Sequence, residues 1–543
     1  MSDTPVVDED LVALLRADLT AARFTVHGVA DRLGPVASAA LHREQPLPAL
    51  LATERSGTRD TSDTSDTSDT ADTAADDACG VLIRLFTLGR PVPASALASA
   101  LPTLGVEGAV ALGLVRVGGG RAGVAAGRST PPEREVAATC DLRPYGDDAH
   151  DWWVASDLSE LVVGGPLRRD HVLGIGGAST TLASWTVRRP VERALDLGTG
   201  CGVQALHLTG HARAIVATDI SERALAYAAF NVALAASEHS GAVPPFELLA
   251  GDLLDPVAGQ RFSLVVSNPP FVITPRDEAL PLYEYRDGGR AGDALVRSLV
   301  RQVGTVLEPG GIAQFLGNWE VPAGRTWRDV WGDWLEEQAR DGIALDAWVV
   351  QRESQDPAEY AELWARDGGA LPGSEAHSQM YAAWLRDFAS RDVERVGFGV
   401  VTLQRPATDR PTWRSLDEAH GPVSAPMGPA IDAGLRARTW LAEHSDDDVL
   451  DVAWSCAPDV TEERHGRPGA EDPSVILVRQ GGGLGRVVRA GTLLAAYLGV
   501  ADGELTARAA LDAIAEVLAL EPEQVRAETL PQLRDLVADG LLV

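Results

Sequence analysis

Between Ala194 and Ile273 lie four short stretches whose residue types and order can do chemistry. In Asp196-Leu-Gly198-Thr-Gly200-Cys-Gly202, three residues without side chains follow an apolar run, where a chain leaving a strand must turn sharply and can approach a ligand closely. About twenty residues on, Ile215-Val-Ala-Thr-Asp219 ends a second apolar run on a carboxylate suited to accept from both hydroxyls of a ribose. Ala250-Gly-Asp252 ends a third on another acid, and Ser267-Asn-Pro-Pro-Phe271 closes a fourth, Phe262-Ser-Leu-Val-Val266. The two prolines of this last stretch restrict the backbone and remove two N–H donors. The carbonyls of Asn268 and Pro269, with the Asn268 amide oxygen, can then accept both hydrogens of an NH2 group, while Phe271 offers a flat face to a conjugated amide or base. Together the four describe a nucleoside-bearing ligand beside a polar clamp for a planar nitrogen. Such a nitrogen is a weak nucleophile, and orienting it can supply on the order of 7 to 11 kcal/mol without a strong base.

A dinucleotide fingerprint, G-x-G-x-x-G, requires glycine at position 203, where this chain has Val203. The Asp-x-Gly-x-Gly-x-Gly spacing instead resembles class I S-adenosylmethionine (SAM) methyltransferases, whose cofactor has no phosphates and needs a backbone shelf more than an anion cradle. Residues 171 to about 404 resemble the class I SAM-dependent N-methyltransferases with an Asn-Pro-Pro-[Phe/Tyr] motif. That group includes the HemK/PrmC-like protein-glutamine methyltransferases and the small-domain enzymes that methylate exocyclic amines of RNA bases. The resemblance implies SAM as cofactor, held by Asp196, Gly198, Gly200, Gly202, Asp219, Asp252 and Asn268, with Asp252 accepting from the adenine amino group. It implies that Asn268, Pro269 and Phe271 orient the acceptor.

Two features pull the acceptor in different directions. Tyr285-Arg-Asp-Gly-Gly-Arg-Ala-Gly-Asp293 is similar to the Gly-rich acidic stretch of glutamine methyltransferases, whereas Phe271 replaces the tyrosine usual there and is common among base methyltransferases. An exocyclic amine of an RNA base and a glutamine amide of a protein therefore both stay open. A small molecule is a further alternative. A non-catalytic SAM-sensing protein that binds partners is the reading from another class, and the intact clamp argues against it.

The elements that must position these residues alternate strand and helix from Ala194 to about Gln404, which specifies a parallel sheet covered on both faces. Strands are expected over 193–197, 214–219, 246–250, 262–267, 311–316, 345–351 and 396–403. Seven strands ending in a late pair give an α/β, doubly wound, Rossmann-like methyltransferase domain. Trp327, Trp331, Trp334, Trp364 and Trp384 fall between the last strands as core or lid residues, or as an aromatic substrate groove. Ahead of the domain, His171-Val-Leu-Gly-Ile-Gly-Gly-Ala-Ser-Thr-Thr-Leu182 suits a loop lying against a ligand.

The chain has 543 residues, enough for several domains. The expected division is a helical segment at 1–53, a disordered Ser/Thr/Asp-rich linker at 54–78, a winged-helix-like module at 79–128 and the methyltransferase domain with its approach segment at 129–405. An irregular connecting region at 406–485 and a second winged-helix-like module at 486–543 complete it. In the first module, Arg84, Arg90, Arg116, Arg121 and Arg128 oppose only Glu107, a balance that could meet phosphates or simply belong to a scaffolding unit. The last module carries five arginines against nine acids, which disfavours phosphate binding. A net charge of −31 weighs against dedicated DNA binding. Cys79, Cys140, Cys201 and Cys456 lie far apart without C-x-x-C spacing, so neither a metal site nor a disulfide framework is expected. With no apolar run of membrane length and no leader-like start, a cytoplasmic protein with a macromolecular acceptor is expected.

Overall fold

The computed structural model describes residues 4–43, 45–54, 77–118, 134–163, 167–236, 244–276, 283–367, 373–469 and 472–543. Most of the linker expected at 54–78 lies outside them.

In the N-terminal unit, helices Glu9–Ala21, Val26–Leu41 and Leu47–Glu54 pack with Ala94–Ala100 and Gly105–Ala111 around Leu15, Phe24 and Phe86. Buried Asp18 ties the first helix to the turn between the last two, accepting from Thr103 Oγ1 (2.6 Å) and Leu104 N (2.9 Å). Strands β1 (Val92–Pro93), β2 (Val115–Val117) and β3 (Glu135–Ala138) form an antiparallel sheet in the order β1-β3-β2. Between β2 and β3, residues 119–133 lie outside the described residues.

A second hairpin, β4 (Asp141–Gly146) and β5 (Asp151–Ser156), joins this unit to the central domain. Asn231, fully buried on helix Glu222–Ala235, accepts from Ala155 N (2.7 Å) and donates to both Ala155 O and Cys201 O (2.8 Å each). One amide therefore fixes the hairpin, the helix and the glycine loop together. The apolar core runs without a break from Leu15 through Trp152 to Phe230.

The central sheet consists of β6 (Ala194–Leu197), β7 (Ile215–Asp219), β8 (Phe246–Ala250), β9 (Phe262–Ser267), β10 (Leu307–Pro322), β11 (Asp346–Gln355), β12 (Val393–Gln404) and β13 (Arg414–Glu418). Their order is β13-β11-β12-β10-β9-β6-β7-β8, with β12 antiparallel to both its neighbours. Among the described residues this sheet has eight strands, where seven were expected. The added strand, Arg414-Ser-Leu-Asp-Glu418, shows no apolar alternation and is defined by its partner: it runs parallel to β11 at the sheet edge, with Val350 opposite Asp417. Side chains fix it there, Trp348 Nε1 donating to Asp417 (2.7 Å) and Trp327 Nε1 to Glu418 (2.5 Å). Helix Gly428–Glu443 also packs on the sheet through Ile431 and Leu435, so the sheet draws on residues well past 405.

The tryptophans divide. Trp331 and Trp334 pack with Trp319 in the core under helix Trp327–Arg340. Trp364 and Trp384 belong to two helices, Pro357–Asp367 and Glu375–Ser390, inserted between β11 and β12. The C-terminal unit has its own core, around Leu511, Val525 and Leu533, beneath β14 (Val460–His465), β15 (Val475–Gln480) and β16 (Val487–Ala490).

Candidate methyl-transfer site

At the end of β6 the backbone turns through Gly198, Gly200 and Gly202, all at positive φ (71°, 55° and 88°), which side-chain-bearing residues rarely adopt. A Cβ added at Gly198 or Gly200 would meet no atom within 4 Å; at Gly202 it would meet Ala228 at 3.3 Å. The first two glycines therefore face open space, and the third permits close approach of helix Glu222–Ala235. Asp196 is completely enclosed behind this loop. Its Oδ2 accepts from Thr199 Oγ1 (2.6 Å) and Ala205 N (2.9 Å), and burial pushes its carboxyl up to about 7. Its Oδ1 is buried without a partner, and Asp196, expected to hold the cofactor, is not among the residues lining the cavity over the strand ends.

A cavity of about 360 Å³ opens over the ends of β6, β7 and β9. Gly198, Gly200, Asp219, Asp252, Asn268 and Pro269 line it together, so strands far apart in sequence deliver them to one place. Asp219 accepts from Gly200 N and Ser221 N (2.9 Å each), which aligns its carboxylate on the cavity wall, and burial raises its pKa. Asp252 stands exposed at the mouth, 3.8 Å from Arg290. Leu253 beside it holds φ of 45°, a strained value for leucine costing about 1 to 3 kcal/mol, and lines the same cavity. Nothing in its residue type signalled that. A carboxylate at a strand end, bare glycine backbone and an exposed acid at the rim fit a nucleoside with a free ribose diol.

Asn268 follows β9, its side-chain oxygen buried without a partner. The stretch 285–293 folds back against it: Phe271 bridges to Asp287, Val272 N donates to Arg286 O (3.0 Å), and Tyr285, Gly288 and Gly289 reach the cavity. Asp287 is held in place by Arg276 (2.7 Å).

Beyond Asn268 lies a second cavity, of about 530 Å³, walled by Leu88, Arg90 and Val154 of the N-terminal side, by Phe271 and Val272, and by Trp364. Phe271 leans on Phe398, with ring centroids 5.5 Å apart. The two cavities share His171, Leu173, Gly174, Asn268, Pro269 and Tyr285. The Gly-rich loop from His171 therefore forms part of the partition, as does the clamp. Chain order concealed the contribution of Leu88, Arg90 and Trp364, since each lies roughly a hundred residues or more from the motifs.

The sheet, with a cavity over its strand ends and an amide at the partition, has the arrangement that the class I methyltransferase resemblance implies. Residues 174–342 match the family model of the methyltransferase small domain, and residues 21–127 match a domain of unknown function (DUF7059). Over this region the chain is similar to the small-domain, HemK/PrmC-like class I methyltransferases. It is 37% identical over 137 residues to the ribosomal protein uL3 glutamine methyltransferase of Xanthomonas campestris pv. campestris, which is 24% of this chain and 42% of that one. It is 35% identical over 162 residues to the release factor glutamine methyltransferase of Geobacter sulfurreducens (27% and 54%). To the ribosomal RNA small subunit methyltransferase C of Alcanivorax borkumensis it is 29% identical over 130 residues (24% and 33%). The chain thus spans between a third and about half the length of these relatives.

Proposed function

We propose that this chain is a SAM-dependent N-methyltransferase acting on a planar nitrogen of a macromolecule, with a protein glutamine amide as the first-ranked acceptor. The observation carrying this reading is the buried, unpartnered Asn268 side-chain oxygen in the partition between the two cavities. A buried acceptor without a donor is costly, on the order of 1 to 3 kcal/mol, and a substrate NH2 group arriving from the larger cavity would satisfy it. In this reading Gly198 and Gly200 form the cofactor shelf, Gly202 permits the close helix contact behind it, Asp219 takes the ribose and Asp252 the adenine edge. Bound SAM supplies an electrophilic methyl group. Asn268 and Pro269 hold the acceptor NH2 in line with it, and Phe271 supports the acceptor plane.

The ranking rests on charge and on relatives. Of the described arginines in the N-terminal cluster, Arg84, Arg90 and Arg116, Arg90 lines the larger cavity, while Arg143 there is taken up by Asp141 (2.6 Å). That is a poor setting for a phosphate backbone in a chain of net charge −31. Two of the relatives above are named for glutamine methylation. Phe271 and the ribosomal RNA methyltransferase relative keep an RNA base as the second reading. Extract incubated with the protein and methyl-labelled SAM, then digested with protease or ribonuclease, separates them. Label released by protease alone is expected; label released by ribonuclease reverses the ranking, and no labelling at all refutes the enzyme reading. The two flanking units are proposed as acceptor-docking modules, and the protein as cytoplasmic.

A further inference from the structure

The clamp leaves one chemical problem open. As the new N–CH3 bond forms and the S–CH3 bond breaks, the sulfur keeps the electron pair and the nitrogen is left cationic with a surplus proton. That cationic nitrogen is strongly acidic, so its proton goes to whichever acceptor stands nearest, water included. A basic nitrogen at the same partition would take it directly.

We propose that His171 takes the proton lost by the acceptor nitrogen and that Asp157 steadies the resulting imidazolium. This rests on the methyltransferase reading above. His171 is the histidine of the partition, lining both cavities together with Asn268 and Pro269. Its side chain is only 5% exposed, and its Nδ1 lies 3.7 Å from Asp157 Oδ2, an ion-pair distance once the ring is protonated. With Nδ1 turned to Asp157, Nε2 occupies the opposite edge of the ring. Tyr285 packs edge-on against the ring from the other wall, with centroids 5.8 Å apart. Asp157 is itself firmly placed: it accepts from Tyr227 Oη and Val172 N (2.8 Å each) and pairs with Arg223. The charged groups facing His171 are Asp157 at the end of β5, Arg223 on helix Glu222–Ala235, and Arg168 and Asp170 on its own loop. Burial lowers the pKa of His171, opposed by Asp157 and aided by Arg223, and the net direction is downward, which leaves the ring able to accept at pH 7. The proton passes from nitrogen to Nε2 and leaves to water when the product departs.

Two measurements test this on the full-length protein. In ring-15N NMR, His171 is expected to titrate below the ordinary histidine value of about 6.5, and the initial rate of label transfer to extract should fall on the acid side with the same midpoint. His171→Gln should lose that acid limb and slow transfer by about a hundredfold, with SAM affinity by calorimetry unchanged; His171→Asn should behave alike. A kinetic midpoint that differs from the NMR midpoint, or a His171→Gln rate and pH profile matching the native ones, overturns the proposal. A parallel loss of SAM affinity in both variants also overturns it, since His171 would then be structural. Absence of transfer by the native protein refutes the underlying enzyme reading instead, a distinguishable failure.

Discussion

At the scale of single residues, Asn268 and Asp219 sit on one cavity yet should fail differently. Asn268→Ala removes an acceptor that has no other partner, so transfer should fall by at least about a hundredfold while calorimetry finds SAM affinity intact. Asp219→Ala removes a carboxylate aligned by Gly200 N, and SAM should bind about tenfold to a hundredfold more weakly, as expected for a lost charged hydrogen bond. Asp196 supplies a pH signature. Its folded-state pKa, about 7, lies above the unfolded value, so its contribution to stability is complete below pH about 4 and is lost as pH rises through 7. Asp196→Asn cannot ionise. Relative to the native protein its stability should therefore rise between pH 5 and 8, by about 3 kcal/mol; thermal denaturation at both pH values measures it, and a constant difference would exclude an ionising Asp196.

At the scale of elements, the inserted helices hold the segment that follows the clamp. Tyr360 Oη accepts from Ile273 N (2.9 Å) and from Asn318 Nδ2 (2.7 Å), and Trp384 Nε1 donates to Ile273 O (2.8 Å). Both backbone groups of Ile273 are thus satisfied by side chains from one insertion. Tyr360→Phe leaves two buried donors without an acceptor and should cost about 2 kcal/mol of stability by denaturant unfolding. Because Ile273 lies two residues past Phe271, the same variant should lower the rate of transfer without changing SAM affinity. An unchanged rate would limit the insertion to a packing role.

At the scale of the whole molecule, Arg438 joins the C-terminal unit to the central sheet. Its buried guanidinium lies 4.0 Å over Trp348, 2.8 Å from Asp539 and 3.8 Å from Asp417. Arg438→Ala leaves two acids facing each other with less compensation, and breaking such a buried pair costs about 3 to 5 kcal/mol. A lowered first transition in calorimetric unfolding, with SAM affinity retained, is the expected result; a single unshifted transition would exclude this link.

The sequence by itself determined the parts governed by local rules. Glycines needed for positive φ, acids ending apolar runs and the Asn-Pro-Pro turn are readable because each requirement belongs to a few neighbouring residues. For the same reason the seven apolar strands were legible. The eighth strand was not, because Arg414–Glu418 owes its conformation to β11 and to two tryptophan N–H groups distant in sequence. The surroundings of Asp196 were not legible, because a motif gives order along the chain but not which groups a carboxylate meets, and here Thr199 and Ala205 hold its Oδ2 within the loop. The second cavity, its walls from Leu88, Arg90 and Trp364, and the pairing of His171 with Asp157 exist only where the N-terminal unit meets the sheet. Burial and long-range packing create those features, and no local pattern encodes them.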